Sequence, residues 1–125
     1  MFSHIMIGAN DMAASKAFYD AALGALGVQP GRENADRVFY MSDGNLFALT
    51  RPIDGEPACH ANGGTIGFAA KSPAEVEAFH AAGLAAGGTA IEDPPGERAG
   101  AFGRLYLAYL RDPSGNKVCA MHRLG

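Results

Sequence analysis

The sequence predicts an α+β chain in which one strand–helix–strand–strand–strand unit occurs twice, giving eight strands and two helices. Three observations predict it. First, landmarks recur at one spacing: His4 and Thr65 are 61 apart, and so are Asp11 and Ser72, Phe18 and Phe79, and Gly27 and Gly88. Second, the text of a turn recurs. Tyr40-Met41-Ser42-Asp43 matches Tyr109-Leu110-Arg111-Asp112 at an offset of 69, and Gly44-Asn45-Leu46-Phe47-Ala48 matches Gly115-Asn116-Lys117-Val118-Cys119 at an offset of 71, with Pro113 and Ser114 extra. Third, in each half a short apolar run is followed by helical spacing and then by two apolar runs around that turn. Neither half alone buries a sheet face well, so the two belong together.

His4-Ile5-Met6-Ile7 reads as the first strand. Asn10 or Asp11 caps a helix over Met12 to Leu23, where Ala14, Phe18 and Ala22, with Tyr19, Leu23 and Leu26, make the apolar face and Lys16 and Asp20 form an i, i+4 pair opposite. Gly24 or Gly27 closes it. Leu26 to Gln29 reads as a short strand, and Arg37 to Met41 and Leu46 to Thr50 are the arms of a hairpin. The first module spans residues 1–51 and the second 64–125, within a single domain of 1–125. The connection, 52–63, carries Pro52, Asp54-Gly55, Pro57 and Asn62-Gly63 without periodicity. Thr65 to Ala69 is a strand. Ser72, Pro73 and Glu75 then form a capping signature for a helix whose face is Val76, Phe79, His80, Gly83 and Leu84, ended by Gly87-Gly88. Thr89 to Glu92 reads as a short strand and Asp93 to Gly103 as an irregular Pro- and Gly-rich loop. Leu105 to Arg111 and Lys117 to His122 form the closing hairpin around Asp112-Pro113-Ser114-Gly115-Asn116.

A chain of 125 residues, 48% hydrophobic and 18% charged, suits one globular domain. Its net charge of −3 and lack of a Lys/Arg run argue against nucleic acid or an anionic membrane as partner. No apolar run reaches membrane-spanning length and no signal segment opens the chain, so a cytoplasmic location is expected. Cys59 and Cys119 read as reduced thiols.

The opening His4 strand, the Asp11–Leu23 helix with Phe18-Tyr19, and Asp112-Pro113-Ser114-Gly115-Asn116 before the last strand together resemble the vicinal oxygen chelate superfamily. That group includes glyoxalase I, extradiol dioxygenases and the fosfomycin- and bleomycin-resistance proteins. The resemblance covers nearly the whole chain. It implies two βαβββ modules forming a curved, cup-shaped eight-stranded mixed sheet, a small-molecule ligand in the cup, and a homodimer. Strand alternation agrees: Ile5 and Ile7, Phe47 and Leu49, and Ile66 and Phe68 make bulky faces suited to the helices, leaving smaller residues for a cavity.

The resemblance also places metal ligands on the first and last strand of each module, here His4, Ala48, Thr65 and Cys119. Ala48 has no donor atom and Thr65 is a poor one, so the set is incomplete, and His4 is the single matching ligand. No cofactor follows, beyond a weakly held divalent ion recruited with His60 or a partner chain. The glutamate that serves glyoxalase I as ligand and proton-transfer base has no counterpart, which leaves lactoylglutathione lyase-like activity open. The residues expected to line the cup are His4, Met6, Ala48, Thr65, Tyr109, Cys119 and Met121. Phe102 joins them on a lid formed by Asp93–Gly103, and Arg104 beside that lid is placed to hold an anionic group or to meet solvent. Three readings compete: a glyoxalase-like enzyme, a metal-free protein that sequesters a small molecule, and an interaction module without a small ligand.

Overall fold

The computed structural model describes all residues, Met1–Gly125. The first module contains β1 (Ile5–Gly8), α1 (Met12–Gly24), β2 (Arg32–Asn34), β3 (Arg37–Ser42) and β4 (Asn45–Thr50). The second contains β5 (Ile66–Ala69), α2 (Pro73–Ala85), β6 (Thr89–Gly100), β7 (Gly103–Arg111) and β8 (Lys117–Arg123). The strands form two four-stranded mixed sheets of one topology, β1-β4-β3-β2 and β5-β8-β7-β6, with the first strand of each module parallel to its last. The α+β class and the duplicated βαβββ order are as the sequence reads. No strand of one sheet pairs with a strand of the other, so the eight strands are divided four and four.

The helices form where the caps say. Asp11 Oδ1 accepts the Ala14 N–H at 3.0 Å, and Ser72 Oγ accepts the Glu75 N–H at 3.2 Å, satisfying donors that a first helical turn leaves orphaned. Glu75 Oε1 accepts the Lys71 N–H at 2.8 Å, closing the start of α2 from the other side. Each helix covers the bulky face of its sheet. Phe18, Tyr19, Val38, Leu49, Val76, Phe79, Leu110 and Val118 are all fully buried there, in one core that spans both modules. Aromatic rings carry it across the seam: Tyr19 meets Phe47 at 5.0 Å between centroids, Phe47 meets Phe68 at 5.2 Å, and Phe68 meets Phe79 at 6.4 Å.

Polar contacts tie the same seam. The Tyr19 hydroxyl donates to Asp112 Oδ2 at 2.7 Å, Asn116 Nδ2 donates to the Gly8 carbonyl at 3.0 Å, and the Asn10 N–H donates to Ser114 Oγ at 3.0 Å. The turn after β7 is therefore fastened to β1 and α1 of the other module.

Three expectations need correction. Leu26 to Gln29 is not a strand. The turn that ends α1 runs on through it, with the Leu26 and Val28 N–H groups both donating to the Leu23 carbonyl and Gly27 at φ 87°. The short strand comes later, as β2, after Gly31. A Cβ on Gly31 would lie 2.4 Å from Val38 Cγ1, so the chain passes there only as glycine. Asp93 to Gly103 is not a loop: β6 continues through Pro94-Pro95 to Gly100. The prolines are tolerated because β6 is an edge strand and its ladder to β7 breaks at a bulge between Ile91 and Gly96. Arg98 staples that bulge, donating to the carbonyls of Asp93 at 2.9 Å and Gly96 at 3.0 Å. Phe102 consequently sits at the tip of a long hairpin, 84% exposed, rather than on a lid. Finally, Tyr40 and Tyr109 match in sequence but not in space. Tyr40 pairs with Phe47, whereas Tyr109 pairs with Cys119, the counterpart of Ala48. The β3–β4 turn has two residues, Asp43-Gly44, with φ of 50° and 78°; the Asp112–Asn116 turn holds three between its paired ends. That slip of one residue puts Tyr40 on the helix side and Tyr109 on the other.

On the helix side Tyr40 completes a network. Asp20 Oδ1 accepts the Gly31 N–H and the Tyr40 hydroxyl, both at 2.9 Å, and Oδ2 accepts from Lys16 Nζ at 2.7 Å. Burial opposes the Asp20 charge, but the Gly31 N–H, Lys16 and Tyr40 outweigh it and hold the carboxyl below its ordinary value. A depressed folded-state value contributes stability above the unfolded value of about 3.9 and loses it as pH falls through the folded one. Asp20→Asn is therefore expected to lower the melting temperature at pH 6, with the gap to the parent closing towards pH 3. An equal gap at both pH values would count against it.

Candidate functional site

Side chains facing away from the helices form the cup faces, and the registers sort them into rows. In the first sheet Met6, Ala48 and Phe39 lie side by side; in the second, Gly67, Cys119, Tyr109 and Ile91 do. The rows are equivalent in topology, so Ala48 lies at the place of Cys119 and Met6 at that of Gly67. His4 and Thr65 each stand one residue before the first strand of a module. Thus Met6 and Ala48 come together on one face, and Tyr109, Cys119 and Met121 on the other, beside Leu107.

The remaining expected residues stand apart. His4 is exposed, with Nδ1 2.7 Å from Ser3 Oγ, and Thr65 is exposed as well. Arg104 is occupied on the hairpin, Nε and Nη2 donating to Glu97 Oε1 at 2.9 and 2.7 Å. His80 is half-buried on α2, and burial lowers its pKa, partly offset by Glu77. His122 points to the helix side, its Nδ1 3.0 Å from the Ala70 carbonyl oxygen, as alternation requires. Both cysteines are free thiols, Cys59 exposed and Cys119 buried.

The chemistry available on the second cup face is restrained. Burial pushes the Cys119 thiol up to about 11; Lys117 opposes that and Glu92 adds to it. At neutral pH the unligated thiol is a protonated, weakly polar group rather than an activated nucleophile. Burial likewise raises the Tyr109 phenol, so it acts there as a hydroxyl. The Lys117 ammonium lies 4.8 Å over the Tyr109 ring and is paired with Glu92.

A metal of the kind the resemblance implies does not fit the donors one chain supplies. Of His4, Ala48, Thr65 and Cys119, one has no donor atom, and nowhere do three His, Cys, Asp or Glu side chains converge in a ligating group. Two of the molecule's cavities bear on the site. One, of about 530 Å³, opens between the β1 and β5 edges over Leu23, Phe47 and Phe68, with His4 at its rim. The other, of about 750 Å³, lies on the first cup face, where Arg37, Phe39 and Thr50 form the floor beneath the segment Arg51–Pro57. Arg37 and Phe39 are legible in the sequence only indirectly, as the alternates of Val38 and Tyr40, the apolar residues that must face α1.

A family model described as Glyoxalase/Bleomycin resistance protein/Dioxygenase superfamily matches residues 1–120. A glyoxalase/bleomycin resistance protein from Albidiferax ferrireducens T118 is 62% identical, with a TM-score of 0.96 over 98% of this chain and 99% of that one. A glyoxalase/bleomycin resistance protein/dioxygenase family enzyme from Burkholderia phytofirmans PsJN shares the fold at 19% identity, with a TM-score of 0.73 and 98% of each chain covered. A lactoylglutathione lyase from Agrobacterium tumefaciens does so at 22% identity, with a TM-score of 0.66 over 97% of this chain and 92% of that one. No curated protein matches the sequence. No helix is long and apolar enough to cross a membrane.

Proposed function

This chain belongs to the glyoxalase/bleomycin resistance protein/dioxygenase superfamily, and on that premise we propose that it binds a small molecule against its cup faces without a resident metal. The observation that carries the reading is the make-up of the central rows. Met6 and Phe39 beside the buried Ala48 on one face, and Tyr109 beside the buried Cys119 on the other, offer apolar surface and neutral polar atoms rather than a ligand set. The place held by Ala48 and Cys119 also lacks a carboxylate able to move a proton. Sequestration of a ligand therefore stands ahead of lyase chemistry. Met6, Tyr109 and Met121 are proposed to contact that ligand from these faces, and His4 and Thr65 only from the strand starts, one residue before β1 and β5.

Elemental analysis of protein purified without chelator tests this. Well under one equivalent of Zn²⁺ or Ni²⁺ is expected, and His4→Ala should alter ligand binding more than metal content. Near-stoichiometric metal lost in His4→Ala would move the enzyme reading to first place.

The working form is proposed to be a homodimer in the cytoplasm. Phe2, Met41, Ile53 and Phe102 are large apolar side chains left exposed on one chain, and β1 and β5 each leave one backbone edge unpaired. Light scattering at micromolar concentration should report twice the mass of a chain; a monomer would refute the dimer.

A further inference from the structure

We infer that the cleft on the first cup face takes a small zwitterion, with its carboxylate on Arg37, its ammonium on Glu56 and its apolar body on Phe39. The inference rests on the small-molecule reading above and narrows its ligand class. The cleft's volume of about 750 Å³ lies within the range of small-molecule sites. Its charged lining is two arginines and two carboxylates, Arg37, Arg51, Asp36 and Glu56. These are not equally engaged. Arg51 lies 3.6 Å from Asp36 and donates to the Asn10 carbonyl at 3.4 Å, so that pair is matched within the protein. Arg37 donates through Nε to Thr50 Oγ1 at 3.3 Å, which orients the guanidinium and leaves its two terminal nitrogens without a protein acceptor. The Glu56 carboxylate has no protein partner, although its backbone N–H is fixed to Asp54 Oδ1 at 3.0 Å.

One open cation and one open anion thus share a cleft whose other charges cancel. A simple anion would meet Arg37 but also Glu56, and a simple cation the reverse. A molecule carrying both charges satisfies the two together. Phe39, with Pro52 and Pro57 of the segment above it, supplies apolar lining in the same cleft. That segment is itself anchored: Asn10 donates through Nδ2 to the Ala58 carbonyl at 3.0 Å and accepts the Ala58 N–H at 2.7 Å. A guanidinium held by its Nε, with both terminal nitrogens left to donate, suits a carboxylate better than a lysine would.

The test is calorimetric titration with three probes of matched bulk: L-phenylalanine, 3-phenylpropionate and 2-phenylethylamine. L-Phenylalanine is expected to bind about tenfold more tightly than either singly charged probe, the worth of one charge-assisted hydrogen bond at a partly exposed site. Arg37→Leu should abolish its advantage over the amine, and Glu56→Gln its advantage over the acid; both positions are exposed, so neither change should disturb folding, which a melting curve checks. Equal affinity for the three probes, or an advantage that survives both substitutions, would overturn the inference. Chemical-shift mapping separates its failure from that of the broader reading. Perturbation around Tyr109 and Cys119 with none at Phe39 would keep a small-molecule protein and remove this site. No binding of any probe would overturn the inference outright, leaving the broader reading to a ligand of another class.

Discussion

Asp112→Ala is expected to destabilise the chain by about 3–4 kcal/mol, and so to lower its melting temperature by about 10 °C or more. Asp112 is 4% exposed and its carboxylate accepts four hydrogen bonds. Oδ1 takes the N–H groups of Ser114 and Asn116 at 2.8 and 2.9 Å; Oδ2 takes the Tyr19 hydroxyl and Asn116 Nδ2 at 2.7 and 2.9 Å. Two of those bonds shape the turn. The other two connect it to α1 directly and, through Asn116, to the end of β1. Alanine strands all four donors, and a buried donor without a partner costs more than the bond contributed. Tyr19→Phe removes a single bond and is expected to cost about 1–2 kcal/mol. Asp112→Asn keeps acceptors for the two turn N–H groups but sets an amide against Asn116, and should fall between the two. Urea unfolding of the three variants gives the order. A loss for Asp112→Ala no larger than that for Tyr19→Phe would show that the turn is held by other means.

The same residue shows what the sequence made legible and what it did not. Asp112-Pro113-Ser114-Gly115-Asn116 announces a turn because each residue type has a local reason to be there. Its partner Tyr19 lies 93 positions away, and no local pattern reports a bond of that reach. Periodicity found the helices and the buried strand faces, since Phe18, Tyr19, Val76 and Phe79 recur at the spacing a helix imposes. It failed where structure depends on a neighbour. Pro94-Pro95 look like a loop until the bulge and the Arg98 staple are known, and Tyr109 takes the face opposite to Tyr40 because one turn is a residue longer. The roof of the first cleft, Arg51–Pro57, has no period at all; its placement comes from Asn10 gripping Ala58.

Phe18→Ala should cost about 3–5 kcal/mol, the range for emptying a fully buried aromatic site. Phe18 sits where the two helices meet, edge-on to Tyr19 at 4.8 Å between centroids and against Gly83 of α2 and Gly88 just beyond it. Gly83 is in a helix, where alanine would ordinarily stabilise by about 1 kcal/mol. Here the added Cβ would lie 2.4 Å from Leu110 Cδ1 and 3.1 Å from Phe18 Cε1, so Gly83→Ala is expected to destabilise by about 1–3 kcal/mol instead. The two effects are not independent. With Phe18 reduced to alanine, Leu110 gains room to yield and the new methyl fills part of the void. The double variant should therefore be more stable than the sum of the single losses allows, by about 1 kcal/mol or more. Gly88→Ala is the control. Its Cβ would lie 2.4 Å from Phe18 Cε1 but also 2.8 Å from the Gly83 carbonyl oxygen, which is backbone and cannot swing away, so removing Phe18 relieves only one of its clashes. Rescue of Gly83→Ala with weaker rescue of Gly88→Ala is the expected pattern. Strict additivity at both positions would mean that the helices do not pack through Phe18 as described.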